Sequence, residues 1–108
     1  MGSLKTVNIS NQAPYVDPFT IQAGAGDEIK VVTGANAAAA ISIPDAFTFL
    51  VEAEKEGYSQ VYIPAESYRI FTVKSDPETG THYYHVFMQA QDEFADNPGS
   101  SAPKIVIS

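Results

Sequence analysis

Short segments of alternating apolar and polar residues recur roughly every eight to twelve positions along the chain, with Gly, Pro, Asn and Asp between them. Side chains of a β-strand point alternately to the two faces of a sheet, so each segment indicates a strand with one buried face. The clearest example is "SYRIFTVK" at residues 67–74, which is followed by the turn "SDPETG". This spacing is typical of an antiparallel sandwich or barrel. We therefore predict an all-β, Greek-key sandwich of about seven to nine strands.

One segment, "DAFTFLVEAEKEG", fits two periodicities. Phe47 and Phe49 alternate with polar positions as they would in a strand. The same stretch also has apolar residues at helical spacing, with Asp45 as a candidate N-cap and Gly57 as a candidate C-terminal stop. The strand is the preferred interpretation, and one short helix near residues 45–56 is the alternative.

The chain has 108 residues, the length of one ordinary domain. Six Phe and six Tyr supply large side chains for a core. The absence of Cys excludes disulfides, thiolate catalysis and cysteine-based zinc sites. We find no linker and no internal repeat, so we predict a single domain over residues 1–108, in which the opening "MGS" resembles a cloning remnant.

Thirteen acidic and six basic residues give a formal net charge of -7. A charge of this sign repels a phosphate backbone, so nucleic acid is not an expected partner. No apolar run reaches the length of a membrane span, and the N-terminus does not have the pattern of a signal peptide. We expect no membrane insertion; the compartment is the cytoplasm, or the periplasm or exterior if a signal was removed.

Three pieces of the chain occur in the order of a known sandwich: "FTIQAGAGDEIKVVTGAN", "YIPAESYRIFTVKSDPETGTHYYHV" and "APKIVI". Together they resemble the cupredoxin-like family, from about Pro18 to Ile107. In that family a Gly-Asp turn leads into a strand that ends near Asn, and a metal-ligand His follows. A "G-x-Y-x-Y/F-x-C" strand then brings the Cys ligand, before a later His and Met. The resemblance implies a Greek-key sandwich of the cupredoxin-like type.

The chain lacks the copper ligands that the resemblance would require. After Asn36 only "AAAAIS" stands where the first His should fall, and Val86 stands about where the Cys would be. A blue-copper centre needs two imidazoles and a thiolate. The resemblance therefore implies a relative without a copper centre, and copper is excluded at the family site.

The stretch "GTHYYHVFM", residues 80–88, holds both histidines. In a strand, His82 lies on the same face as Tyr84 and Val86, whereas His85 lies on the opposite face. On a helix the same spacing could bring both imidazoles to one metal ion, but the Tyr and Val content favours a strand. We therefore expect ordinary, hydrogen-bonded histidines.

The polar loop "QDEFADNPGSSAP" is the better candidate for a metal site. Its oxygen ligands of the kind that Ca²⁺ takes are Asp92, Glu93, Asp96 and Asn97. A similar acidic loop before the last strand binds calcium and sugar in some small sandwich lectins. The spacing does not match an EF-hand, and a solvated acidic loop is the preferred interpretation.

Catalysis has weak support in the sequence. Ser67 and Ser75 are not in a nucleophile-elbow context, and no carboxylate pair stands out. We therefore expect a non-enzymatic module, without a cofactor, that binds an unidentified protein or small-molecule ligand. The alternative is a calcium-dependent, lectin-like carbohydrate-binding module that uses the loop at residues 92–97, and an enzyme with an unseen site is a weaker third class.

Two features suggest surfaces for binding. Four tyrosines are candidates to line a sugar or peptide groove, although core positions are the simpler interpretation: Tyr15, Tyr58, Tyr62 and Tyr83. The final segment "KIVIS" would expose unpaired backbone groups if it lay at a sheet edge. We predict from this segment a homodimer formed by edge pairing.

Overall fold

The computed structural model of the protein describes residues 2–12, 15–57, 59–95 and 102–108. Within these ranges the chain forms eleven strands and two short helices. The strands are β1 (Leu4–Ile9), β2 (Val16–Asp17), β3 (Thr20–Ala23), β4 (Glu28–Thr33), β5 (Ala39–Ser42), β6 (Gln60–Ile63), β7 (Tyr68–Thr72), β8 (Gly80–Tyr83), β9 (His85–Met88), β10 (Glu93–Phe94) and β11 (Lys104–Ile107). The helices are α1 (Ala46–Phe49) and α2 (Val51–Glu56). Because β2 and β10 have only two residues each, the longer strands number nine, within the predicted range.

The strands form three sheets, with the orders β2-β1-β4-β7, β10-β9-β5-β6 and β3-β11-β8. β1 runs parallel to β4, and β3 runs parallel to β11, whereas the other pairs are antiparallel. A parallel pair cannot be joined by a tight hairpin, so the connections cross from one sheet to another. The predicted all-β sandwich is confirmed.

Side chains from all three sheets and both helices meet in one apolar core. The residues that enter this core follow the alternation from which the strands were predicted. In β4, for example, Ile29, Val31 and Thr33 are buried, and the residues between them are not. Phe49 and Phe71 are the largest fully buried side chains. No helix in the described part of the chain is both long enough and apolar enough to span a membrane.

The "GAGD" segment forms the tight turn between β3 and β4. The Asp27 carboxylate accepts the backbone N–H groups of Ser3 and Gly24, each at 2.8 Å. Gly26 has a φ of 81°, which favours glycine. The two hydrogen bonds, from Ser3 and then Gly24, lower the pKa of the Asp27 carboxyl because they stabilise its ionised form. The turn therefore joins the N-terminal end of the chain to the start of β4.

Asp27→Asn should lower the stability of the protein at neutral pH and flatten its decline in acid. Because folding lowers the Asp27 pKa, the ionised group stabilises the folded state above the unfolded pKa, about 3.9. This contribution is lost as the pH falls through the lower, folded pKa. Urea unfolding at pH values from about 7 to about 2 measures the effect. Asp76→Asn, in an exposed turn, controls for loss of one charge, and an equal acid slope in wild type and Asp27→Asn would contradict the assignment.

The segment after β5 is helical, so the preferred strand interpretation was wrong. The helical face consists of Ala46, Phe49, Leu50 and Ala53, all of which are buried, whereas Phe47 is 45% exposed. A strand would have placed Phe47 and Phe49 on the same face. Burial follows the helical period because these residues pack under one layer of the sandwich rather than pairing within it.

The ends of the two helices differ from the predicted caps in one respect. Gly57 has a left-handed conformation (φ 78°, ψ 34°) and ends α2 as predicted. Asp45 stands before α1, but its side chain makes no capping hydrogen bond. Leu50 separates the helices with an extended backbone and forms a bridge with Val73. This bridge attaches the middle of the helical segment to the chain that follows β7.

Truncation of the two phenylalanines of α1 should have very different effects. Phe49→Ala should lower the free energy of unfolding by about 3–5 kcal/mol, because it leaves a cavity in the core. Phe47→Ala should cost much less, about 1 kcal/mol or less, because 45% of that residue is already exposed. Chemical denaturation of both variants measures the difference. Equal losses would contradict the helical face and support the strand.

The final segment, "KIVIS", is not at a sheet edge, so the predicted dimer contact through this strand was wrong. β11 lies between β3 and β8, and both of its edges are paired. Its backbone groups are therefore used within the domain. Whether a strand is central or peripheral depends on partners far away in sequence, and the local pattern of "KIVIS" does not contain that information.

Candidate functional site

The stretch from Gly80 to Met88 passes from one sheet to another. β8 pairs with β11, whereas β9 pairs with β5 and β10. Tyr84 stands between the two strands and is buried. The alternation continues through it, so the buried residues of this stretch are His82, Tyr84, Val86 and Met88. The prediction that the two histidines face apart is confirmed, because His85 is exposed on the other side.

His82 anchors the helical segment and the loop before β8. Only 2% of the residue is exposed, and its ring stacks on Phe49 with a centroid distance of 4.3 Å. Nδ1 lies 3.1 Å from Asp45 Oδ2, and Nε2 lies 2.8 Å from the Glu78 carbonyl oxygen. Each ring nitrogen is thus within hydrogen-bond distance of one oxygen atom. All the polar atoms of the imidazole are thus engaged within the protein.

The positions at which the family resemblance placed the first His and the Cys carry apolar side chains. Val86 is fully buried opposite Ile41. Ala39, from the "AAAAIS" segment, is fully buried between Met88 and Ile63. In the described ranges, no group of three or more His, Cys, Asp or Glu side chains is arranged to hold a metal ion. This region of the sandwich is packed as core.

The predicted calcium ligands are only partly within the described residues. Asp92 is exposed, with a φ of 57°, and Glu93 is exposed in β10. Asp96 and Asn97 lie outside the described ranges. One carboxylate oxygen of Glu93 accepts a hydrogen bond from the hydroxyl of Tyr15 at 3.1 Å, and burial, followed by this carboxylate, raises the pKa of Tyr15. The four-residue calcium site stays a prediction.

The outward side of the sheet β10-β9-β5-β6 carries a row of aromatic side chains. Phe94 is opposite Phe87, Phe87 is opposite Ala40, and Ala40 is opposite Tyr62. The rings of Phe87 and Phe94 contact each other edge to face, with a centroid distance of 5.1 Å. Phe94 and Tyr62 are 55% and 53% exposed. Ala40 leaves a gap between the rings of β9 and β6.

A second row, two residues along the strands, is polar. Ser42 of β5 is opposite His85 of β9 and Gln60 of β6. An open depression of about 590 Å³ is lined by the polar row and by Ala40, Phe87 and Phe94 of the aromatic row, and Tyr62 lies beside it on β6. We call this surface the aromatic face, and its residues are Ala40, Ser42, Gln60, Tyr62, His85, Phe87 and Phe94.

The aromatic face has no Lys or Arg in any of its four strands, and Glu93 is their one acidic residue. The outward side of β2-β1-β4-β7 is different: Tyr68 and Ile70 are exposed there, but Lys30 lies 4.7 Å from the centre of the Tyr68 ring. Charged and aromatic side chains are mixed on that second surface. Of these two outward surfaces, the aromatic face is therefore the one without charged side chains in its two rows.

Sequence reasoning found only part of this face. Of the four candidate tyrosines, Tyr62 lies on it, Tyr15 is buried, Tyr83 is exposed on a different sheet, and Tyr58 lies outside the described residues. Phe87 and Phe94 were not predicted as binding residues. Alternation puts Phe87 on the same side of the strand as His85, but the sequence could not show that Phe94 pairs beside it.

No protein-family model matches the chain, and no curated protein matches it in sequence. Solved cupredoxins have a similar structure. A novel purple cupredoxin from Nitrosopumilus maritimus superposes with a TM-score of 0.61 and 9% identity, over 96% of this chain and 99% of that chain. A reduced variant of amicyanin gives a TM-score of 0.54 and 13% identity, over 95% of this chain and 82% of that one. The predicted cupredoxin-like fold is confirmed.

The two histidines should differ sharply when each is changed to alanine. His82→Ala should lower the free energy of unfolding by about 3 kcal/mol or more, because it removes a buried ring together with its contacts to Asp45 and the Glu78 carbonyl. His85→Ala should change it by about 0.5 kcal/mol or less. Urea unfolding measures both effects. Similar small losses in the two variants would contradict the anchoring role of His82.

Proposed function

We propose that the protein is a non-enzymatic binding domain that contacts its ligand through the aromatic face. The observation that carries this proposal is the exposed row of Phe94, Phe87 and Tyr62 beside a row of neutral polar side chains. Contiguous exposed apolar surface with polar neighbours marks interaction sites on soluble proteins. Aromatic side chains also supply contact area at a small cost in conformational entropy.

The packing at the positions of the family's metal ligands supports a role other than copper electron transfer. Val86 and Ala39 offer no donor atom from their side chains, and both are fully buried. A copper site with a thiolate and two imidazoles has no counterpart in these residues. This packing supports another use of the fold, and the surface with the most distinctive chemistry is the aromatic face.

The polar row gives little support to catalysis. Ser42 and His85 are opposite each other, but in the described structure no hydrogen bond joins their side chains. Nor does a described carboxylate orient the His85 ring by a hydrogen bond. A serine nucleophile requires a base within hydrogen-bond reach and a third group that holds the base. Hydrogen bonding to a ligand is the role that these two side chains fit.

A second candidate is the calcium-dependent, carbohydrate-binding module that uses the loop at residues 92–97. The observation that favours it is position: Asp92 and Glu93 directly precede Phe94 of the aromatic face. A cation held in that loop would lie beside a ligand bound on the face. If this second candidate is right, a calcium chelator must abolish ligand binding. Binding by the aromatic face alone does not depend on calcium.

Ligands that bind the protein should perturb the aromatic face. A library of small aromatic fragments, short peptides and oligosaccharides, titrated into ¹⁵N-labelled protein, should shift amide signals of β5, β6, β9 and β10. Phe94→Ser should weaken these hits by about tenfold, because one exposed ring lost from a contact is worth about 1.4 kcal/mol.

Tyr68→Ser is the matched control, since Tyr68 is equally exposed on the opposite side of the sandwich. It should leave the hits unchanged. Two-dimensional NMR spectra of both variants confirm that they are folded. Hits that cluster on any other surface, or that respond equally to the two substitutions, would contradict the proposal.

A further inference from the structure

We infer that the ligand of the aromatic face is an uncharged glycan chain, whose sugar rings pack against Phe94, Phe87 and Tyr62 and whose hydroxyl groups form hydrogen bonds with the polar row. This inference rests on the proposed function of the face. It names the chemical class of the ligand and a mode of binding that needs no metal ion.

The spacing of the rings fits a chain of sugars. Neighbouring strands lie about 4.8 Å apart, so Phe87 on β9 and Tyr62 on β6 are separated by two spacings, roughly 9.6 Å. Phe94 on β10 extends the row by one more spacing. Ala40 keeps the space between the rings open. A pyranose ring presents a flat array of C–H bonds, so a linear chain that lies along this row packs against Phe94 and Phe87, crosses the gap at Ala40 and reaches Tyr62.

The polar row matches the edges of those sugars. His85, Ser42 and Gln60 offer an imidazole, a hydroxyl and an amide, each of which includes donor and acceptor atoms. A sugar hydroxyl is likewise both donor and acceptor. Because the polar row runs across the same strands as the aromatic row, both kinds of contact are available to one ligand lying across the sheet.

The charge of the protein favours neutral glycans over charged glycans and over other charged polymers. The four strands contain no Lys or Arg, and the chain carries a net charge of -7. A phosphate, sulfate or carboxylate group on the ligand would find no cation on this face and would be repelled by the molecule as a whole. A neutral ligand avoids both costs. Charge complementarity therefore favours neutral sugars over nucleic acids, sulfated glycans and polyuronates.

The shape of the face favours a chain over an enclosed small molecule. Its depression of about 590 Å³ has the size of a ligand pocket but is open to solvent. Only one side of a ligand is covered, so the expected dissociation constant lies in the range of about 10 μM to 1 mM. An open surface also leaves both ends of the ligand free, as an internal segment of a polysaccharide requires.

The test is NMR titration with three neutral hexasaccharides, cellohexaose, xylohexaose and mannohexaose, and with an oligogalacturonide of the same length as the anionic control. At least one neutral chain should bind and shift signals of the aromatic face, and the anionic chain should bind at least tenfold more weakly. Phe94→Ser and Tyr62→Ser should each weaken binding at least tenfold. Ala40→Gln, which fills the gap, should weaken it by a similar factor, whereas Tyr68→Ser should not.

The outcomes separate this inference from the proposed function. If no neutral chain binds but peptides or fragments still perturb the face, the glycan inference is overturned and the binding face stands. A concentration-dependent shift of the face without ligand would identify a second copy as the occupant and would also overturn it. Loss of sugar binding in EDTA would transfer the sugar site to the calcium loop. Binding mapped to another surface would overturn both proposals.

Discussion

The alternation of side chains along Gly80–Met88 is the constraint on which the rest of this molecule depends. The stretch contributes β8 to one sheet and β9 to another, and it does so without losing the period of two. Every second residue therefore enters the core on both sides of Tyr84. A shift by one residue would bury His85 and Phe87 and expose Val86, so the core and the aromatic face are fixed together.

The buried residues of this stretch pack as core at the positions where the family resemblance placed metal ligands. Val86 and Met88 pack against small and branched residues of β5 and add apolar area where the resemblance would have led us to expect a ligand. His82 is the polar exception, and it is anchored by Asp45 and the Glu78 carbonyl. The hydroxyl of Tyr84 is buried without a partner among the described residues, and burial raises its pKa. The hydrophobic packing around that ring must therefore outweigh the cost of one unpaired hydroxyl.

Local patterns predicted those features that depend on local geometry. The sandwich, the turn at Gly24–Asp27 and the opposed histidines follow from alternation and turn chemistry, and all three are observed. The apolar residues of the segment at residues 45–57 fit the period of a strand and the period of a helix. The sequence analysis preferred the strand, but only packing decides between the two. The helical period was the right one, as the burial of Ala53 and the exposure of Phe47 show.

Features that depend on pairing between distant strands could not be predicted. The position of β11 between β3 and β8 requires knowledge of two partners more than twenty residues away. The aromatic face likewise exists only because register brings Phe94, Phe87 and Tyr62 into one row, from segments separated by loops and helices. In the sequence, Phe94 is one apolar residue in an acidic loop, and nothing nearby indicates its neighbours.

The acidic charge of the chain and the neutrality of the aromatic face have complementary effects. An exposed row of aromatic rings on a sheet favours self-association, since two such faces can bury each other. Two copies that each carry a net charge of -7 repel one another as they approach, while a neutral ligand does not experience this repulsion. At physiological ionic strength charges are screened beyond about 8 Å, so the repulsion acts mainly when the two molecules are nearly in contact. The chain thus discourages contact between copies through charges placed elsewhere on its surface, and it keeps the aromatic face itself free of charges that a bound neutral ligand would have to desolvate.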